Sequence, residues 1–158
     1  MGMLLTLAVV LNLAEGMLPA LPMLPPGVRL GLSNLVILYA VSYLGGRQAL
    51  LLAVLKSGFV LLTRGPAAGF ISLCGGLLSV MVMVLVSRTG LSILTRSMAG
   101  ALVHNLGQLL AAALLLGSWS VFYYSPVLAL SGIVMGSVTA VLTRATLPAL
   151  RRIRPPRR

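Results

Sequence analysis

Long apolar runs, separated by short groups of glycine, proline and arginine, make up most of the chain. A helix needs about 20 residues to cross the hydrocarbon core of a bilayer, which is roughly 30 Å thick. Because the runs approach this length, they predict six helices, at residues 3–18, 30–44, 48–63, 67–87, 93–116 and 121–147. The first three are short for a span, and the last is long enough to tilt or to extend beyond the bilayer.

The composition places these helices in a membrane. Hydrophobic residues make up 59% of the 158 residues, the mean hydropathy is +1.08, and only 8% of the residues are charged. A soluble domain of this length needs far more charge to cover its surface. The first run has neither the basic leader nor the small-residue cleavage site of a signal peptide, so we expect it to be the first span. The sequence therefore predicts an all-α integral membrane protein, a six-transmembrane-helix bundle over residues 1–147 with a basic tail over 148–158.

The charged residues are nearly all cations, with twelve Lys and Arg against the single acid Glu15. They are scattered between the apolar runs except for five arginines in the tail, which suit anchoring to anionic lipid headgroups better than nucleic-acid binding. In a six-span chain, three further arginines lie on the same side as the tail: Arg47, Arg88 and Arg96. Only Arg29 and Arg64 lie on the other side. Since cytoplasmic loops carry the excess of positive charge, both termini are predicted to be cytoplasmic.

Rows of small residues recur at helical spacing, in Gly75-x-x-x-Ser79 and in Gly132-x-x-x-Gly136-x-x-x-Ala140. Such rows let membrane helices approach one another closely. We expect them to pack helices within the bundle rather than to form a dimer face.

Two ionisable residues fall at membrane depth. Glu15 lies near the outer end of the first run and shares a helical face with Asn12, three residues earlier. Lys56 lies near the middle of the third helix. Ionisable side chains inside a membrane usually mark a functional site and need a partner, and Glu15 is the acid that the chain offers to Lys56. The alternative is that Lys56 extends its ammonium group to the membrane interface.

The segment ALVHNLGQLL, residues 101–110, places three hydrogen-bonding side chains in a strongly apolar run. His104 and Gln108 are four residues apart, and Asn105 and Gln108 are three apart, so all three can point to one interior face. Hydrogen bonds between helices would explain them, but three such side chains in one turn favour a polar substrate cavity. A metal site is less favoured, because the chain's one His has no second ligand at suitable spacing. The lone Cys74 excludes an internal disulfide and is interpreted as a buried, inert thiol.

The segment between the first two runs, residues 19–34, contains four prolines, which make it stiff and non-helical. With Arg29 it is predicted to form a lid over the outer mouth of the cavity. Ser33 or Asn34 could cap the second helix, and a helix N-terminus beside an arginine also favours an anion. We therefore expect Arg29 and Arg64 to favour an anionic or strongly polar substrate, unless they only anchor helix ends at headgroups. Asn34, Glu15 and Lys56 are expected to contribute to the same site.

The chain carries four segments that occur together: Glu15 with its proline-rich loop, GVRLGLSNLV (27–36), LGGRQALLLAVLK (44–56) and HNLGQLLAAALLLG (104–117). In combination they resemble the Gx transporter family, whose members are commonly labelled heptaprenyl diphosphate synthase component I and are grouped with the S components of energy-coupling-factor (ECF) transporters. The resemblance implies six helices in a bacterial cytoplasmic membrane, a small-molecule substrate bound near the outer face, and a transmembrane coupling subunit with two ATPase subunits as partners. S components often dock through small residues four apart in the first helix. Here that register reads Ala8, Asn12 and Gly16, an imperfect match.

The scarcity of acids argues against catalysis. A prenyl chain-elongating synthase holds diphosphate through Mg²⁺, which clustered carboxylates bind, and this chain has no Asp and one Glu. It has no P-loop for ATP either, and nothing in it implies a cofactor. Three functions remain. We favour the substrate-binding subunit of a transporter over a non-catalytic accessory subunit that supplies a lipidic or prenyl substrate to a heptaprenyl diphosphate synthase, and over a structural membrane protein without a ligand.

Overall fold

The computed structural model describes residues 2–17 and 33–153, with side chains over 2–15 and 33–145. Within these residues all regular structure is helical, in six α-helices and one 3-10 helix that precedes α6. The α-helices are Gly2–Met17 (α1), Asn34–Tyr43 (α2), Gly46–Arg64 (α3), Pro66–Arg88 (α4), Ile93–Leu116 (α5) and Ser125–Ile153 (α6). The predicted all-α fold with six helices is confirmed. The arginines of the predicted tail lie outside the described side chains.

Four of the helical segments are long and apolar enough to cross a membrane: α3, α4, α5 and the stretch that runs through the 3-10 helix into α6. The helices α1 and α2 are apolar but shorter, with 16 and 10 residues. At a rise of 1.5 Å per residue, α2 is about 15 Å long, which is about half the hydrocarbon core. The chain is therefore a multi-pass membrane protein in which the α-helical part of α2 is shorter than the hydrocarbon core.

The short helix α2 lies at the centre of the bundle. It contacts each of the five other α-helices. Val36, Ile37 and Leu38 have no exposed surface, and they share one apolar core with Leu52 of α3 and Met83 of α4. Six of the ten residues of α2 are buried, as expected of an apolar helix enclosed by neighbours on most sides.

Short connections make neighbouring helices antiparallel. Only Gly65 separates α3 from α4, and its φ of 91° lies in the left-handed region that glycine adopts without steric penalty. Pro66 begins α4, where its missing N–H would be unpaired in any case. The helices then lie so close that a Cβ on Gly69 would be 2.8 Å from Leu61 Cα. The same alternation brings the α3–α4 and α5–α6 connections to one end of the bundle, which we call the Gly65 end.

The last helix begins later than predicted. The sequence predicted a helix from residue 121, but Trp119–Tyr124 forms a 3-10 helix and α6 starts at Ser125. Pro126 explains the break, because it has no N–H to donate and its ring would clash with the carbonyl of Phe122 in a continuous α-helix. Trp119 and Tyr123 are largely exposed, whereas Val121 is buried between them. The turn therefore fixes the α5–α6 corner through Val121 and turns its aromatic rings outward.

Cysteine labelling tests which end of the bundle faces outward. On a Cys74→Ser background, a cysteine at Ser118 in the α5–α6 connection should react with a membrane-impermeant maleimide added outside the cell. A cysteine at Gly90 in the α4–α5 connection should not, because the arginine asymmetry places that end in the cytoplasm. The reverse labelling pattern would contradict the predicted cytoplasmic location of both termini.

Candidate functional site

A polar cavity opens at the Gly65 end of the bundle. Side chains of α1, α3, α4 and α5, together with the residue before α2, form its wall: Asn12, Glu15, Ser33, Lys56, Val60, Arg64, Ala68, Ile71, Ser72, His104 and Gln108. All but Val60, Ala68 and Ile71 are polar or charged. In a chain with only 8% charged residues, this lining brings together Glu15, Lys56 and Arg64.

The chain's only Glu, only Lys and only His meet in this cavity. The residues Glu15, Lys56 and His104 are 6%, 4% and 2% exposed. Ionisable side chains within a membrane are costly and usually serve ligand or ion binding. The structure thus brings together four of the residues that the sequence nominated, since Gln108 lines the same cavity. Their contribution to binding stays a prediction.

Lys56 points into the bundle and not to the membrane interface. Its Nζ donates a hydrogen bond to Asn34 Oδ1 at 3.4 Å. Asn34 is itself buried and begins α2, so this bond ties the cavity wall to the central helix. Glu15 lines the same cavity, and its predicted pairing with Lys56 stays a prediction.

Three buried polar atoms of the cavity have no hydrogen-bond partner among the residues that the structure describes: Ser33 Oγ, His104 Nδ1 and Gln108 Oε1. An unsatisfied buried polar group costs about 1–3 kcal/mol, so each such atom calls for an explanation such as a ligand or an ordered water. The space that they face is about 20 Å³, room for one or two water molecules. A larger solute therefore requires a wall to move. Among the described helices, α1 contacts only α2 and α3 and is the wall held by the fewest neighbours.

Asn105 does not line the cavity, which corrects the prediction that it shares one face with His104 and Gln108. Its Nδ2 donates a hydrogen bond to the carbonyl of Leu128 in α6 at 2.8 Å, and lies 3.4 Å from Ser131 Oγ. Successive helical residues point about 100° apart, whereas residues four apart nearly coincide. Asn105 therefore faces α6 while the other two face the cavity.

Small residues of α4 let α5 approach the cavity. A Cβ on Gly75 would lie 2.8 Å from Gln108 Cγ and 2.9 Å from the carbonyl oxygen of His104. Ser72, one turn earlier, lines the cavity and shares a 3.3 Å hydrogen bond with Ser57 of α3. Ser72 was not among the residues predicted for the site. Ser72 is three residues from Gly75 and seven from Ser79, which puts three small residues on one face of α4. This spacing is the feature of the sequence that could have indicated Ser72.

The remaining nominated residues differ in placement. Arg64 is exposed and lines the cavity in the last turn of α3, about 12 Å along the same helix face from Lys56. Arg29 and residues 19–32 of the predicted lid lie outside the described residues, so their roles stay predictions. Ser33 occupies the N-cap position of α2, but its side chain makes no capping hydrogen bond. The alternative that the Ser33 hydroxyl caps the helix is therefore wrong.

Metal binding and thiol chemistry find little support in this region. Among the described residues, no group of His, Cys, Asp and Glu is placed to hold a metal ion. Cys74 is a free, half-buried thiol of α4, less buried than the sequence led us to expect. The cavity is therefore a set of hydrogen-bonding and charged groups that suits non-covalent binding of a polar molecule.

Comparisons with known proteins agree with this architecture. A family model described as heptaprenyl diphosphate synthase component I matches residues 4–146. The solved structure of the S component of a bacterial ECF transporter has a TM-score of 0.73 to this chain at 19% identity, and the match covers 96% of this chain and 93% of that one. At this identity the likeness shows the fold. A comparison with curated protein sequences finds no match. The chain belongs to the heptaprenyl diphosphate synthase component I family, also called the Gx transporter family.

Proposed function

We propose that this protein is the membrane-embedded substrate-binding subunit of a transporter, similar to an S component, and that its cavity binds a small polar or anionic solute. One observation carries the proposal. The only Glu, Lys and His of a strongly apolar chain converge on one cavity, where His104 Nδ1 and Gln108 Oε1 are buried without a partner among the described residues. Helix packing alone does not explain why polar atoms are buried without a hydrogen-bond partner. The S-component fold supports the same conclusion.

The lining favours a hydrophilic solute over an apolar one. Val60, Ala68 and Ile71 are the apolar side chains in the described wall, and no aromatic side chain is among them. Pockets for drug-sized organic ligands are, in contrast, lined mostly by apolar and aromatic groups. Lys56 and Arg64 lie on one face of α3 and create a positive potential that attracts anions. Glu15 offsets one of these two charges.

The family description favours a second candidate, a non-catalytic accessory subunit of a heptaprenyl diphosphate synthase. Such a subunit would supply a lipidic or prenyl substrate to the enzyme. The polar lining of the cavity weighs against this function, because a prenyl chain would leave the polar atoms of the wall without partners. Glu15 alone does not make the carboxylate cluster that holds Mg²⁺ and diphosphate. We therefore propose a non-catalytic role for both candidates, the transporter subunit and the accessory subunit.

The proposal includes partners and a location. Transport energy would come from a transmembrane coupling subunit with ATPase subunits, in a bacterial cytoplasmic membrane, with both termini in the cytoplasm and the cavity facing outward. The docking register on α1 differs from that of S components. Ala8 and Asn12 are buried inside the bundle, whereas the exposed face of α1 carries Leu7, Val10 and Leu13. A coupling subunit that docks on α1 would therefore meet large apolar side chains.

Native mass spectrometry of the full chain, purified gently from its own membranes, tests the function. We expect one small polar molecule bound per chain, and a coupling subunit with ATPase subunits in the same preparation. A soluble prenyl synthase in their place, with a prenyl lipid bound, would favour the accessory subunit. Absence of both ligand and partners would contradict the transporter proposal and favour a purely structural membrane protein.

A further inference from the structure

The start of α2 forms part of the cavity wall. Ser33 precedes the helix in a helical backbone conformation and makes no capping hydrogen bond through its side chain. The first N–H groups of any helix lack partners within the helix and carry the positive end of its dipole. Ser33 Oγ lines the cavity, the residue is 1% exposed, and the hydroxyl has no partner among the described residues. This helix start therefore presents the cavity with the Ser33 hydroxyl and with the positive end of the α2 dipole.

A cation lies beside the same helix start. Lys56 is 4% exposed and its Nζ is 3.4 Å from Asn34 Oδ1, in the first residue of α2. A positive charge next to the positive end of a helix dipole is unfavourable, and a bound anion reverses the sign of that interaction. Glu15 lines the cavity too, but Lys56 and Arg64 outnumber it. The formal charge of the described wall stays positive, which leaves room for one more negative group.

We propose that the N-terminus of α2, with Ser33 Oγ and Lys56 Nζ, is the subsite that receives an oxyanion of the solute, a carboxylate or a phosphate. This proposal rests on the proposed function and adds to it the chemical group that is recognised and its position. Carboxylate and phosphate groups both carry several oxygens that accept hydrogen bonds. Hydroxyl, ammonium and backbone N–H groups can donate to these oxygens. His104 and Gln108, on the α5 side of the cavity, then contact the rest of the solute.

Two simple anions serve as probes of the subsite. The full chain, in nanodiscs of phosphatidylcholine, is unfolded by heat in sodium phosphate, sodium acetate or sodium chloride at one ionic strength, and unfolding is followed by the reactivity of Cys74. A ligand of the native state raises the unfolding midpoint in proportion to its occupancy. We expect phosphate or acetate, but not chloride, to raise the midpoint in a saturable manner. Ser33→Ala should weaken the apparent affinity roughly tenfold, and Lys56→Met should remove the response.

A second variant, Ser33→Asp, distinguishes a lost anion site from a general loss of stability. Aspartate is a favourable N-cap residue and would place a carboxylate in the subsite next to Lys56. We expect this variant to unfold at a higher temperature than the wild type in chloride, and to be insensitive to phosphate and acetate. Ser92 is the matched control, because it is the exposed N-cap of α5 at the opposite end and already accepts a hydrogen bond from the N–H of Thr95. Ser92→Ala and Ser92→Asp should keep the full anion response.

Specific outcomes overturn the subsite. If phosphate and acetate still raised the unfolding midpoint of both Ser33 variants as much as that of the wild type, the subsite would be refuted. Stabilisation by phosphatidylglycerol in the nanodiscs that depends on Ser33, without any response to the soluble anions, would assign the group to a lipid headgroup and equally overturn it. The two proposals fail differently. A native solute that binds Ser33→Ala with unchanged affinity refutes the subsite alone, whereas a wild type without any solute, but with an anion response that depends on Ser33, supports the subsite and refutes the transporter function.

Discussion

Gln108→Leu is expected to weaken binding of the native solute by roughly 10- to 100-fold while the protein stays folded. Gln108 is 5% exposed, lines the cavity, and its Oε1 has no partner among the described residues. Leucine has a similar size but no amide, so a polar solute would lose a hydrogen bond worth about 1–3 kcal/mol when its own group is left unsatisfied. The measurement is titration calorimetry with the solute that mass spectrometry identifies.

Asn105→Leu is the matched control for Gln108→Leu, three residues away on the same helix. Its amide holds α5 to α6 through the carbonyl of Leu128 at 2.8 Å. Removing that bond should lower thermal stability by about 1 kcal/mol, in the range of interhelical hydrogen bonds in membranes, and leave the affinity of the folded protein unchanged. If Gln108→Leu instead destabilised the protein and kept its affinity, the cavity would be a packing feature and the transporter proposal would lose its main support.

Gly75→Ala is expected to destabilise the protein by about 1–3 kcal/mol, the range for overpacking a tight contact. The new Cβ would lie 2.9 Å from the carbonyl oxygen of His104. A backbone atom does not move aside as a flexible side chain does, so α4 and α5 must separate. The same Cβ would press on Gln108 Cγ at 2.8 Å, and solute affinity should fall as well. Thermal unfolding followed by circular dichroism measures the loss.

Gly58→Ala supplies the comparison, because the same methyl group in α3 would meet nothing within 4 Å. Alanine has a higher helix propensity than glycine, so this variant should be as stable as the wild type or more stable by up to about 1 kcal/mol. Equal unfolding midpoints for the two variants would show that the α4–α5 contact is looser than described.

Helix ends could be predicted where the sequence marks them chemically. The predicted helix at 93–116 matches α5 at both ends, because Ser92 caps its start and Gly117 ends it with a φ of 61°, in the left-handed region. The sequence predicts a helix from residue 30, whereas Ser33 is the N-cap and Asn34 the first residue of α2; residues 30–32 lie outside the described part of the chain. Hydrophobicity continues through that stretch and does not say where the backbone becomes helical. Pro126 marks the start of the last helix in the sequence itself, since proline is tolerated in the first turn of a helix and not in its interior.

The cavity could be predicted in part. Glu15, Lys56, His104 and Gln108 stood out because such side chains are rare in apolar helices. Ser33 and Ser72 did not, since serine is common in membrane helices and often bonds its own backbone. Asn105 was misplaced for a different reason. The helix α5 packs against both α4 and α6, so it has two interior faces, and the sequence does not say which neighbour lies on which face.

The length of α2 bears on how the protein is assembled in the membrane. A helix of 10 residues cannot reach both bilayer surfaces, so on its own it would leave terminal N–H and C=O groups in hydrocarbon. It can be enclosed only when its neighbours are present, and α3, α4, α5 and α6 are all synthesised after it. Ser33 and Asn34 reach their final positions only when this late packing step is complete. A newly made chain thus acquires its polar cavity at the end of biogenesis, when every helix is already inserted.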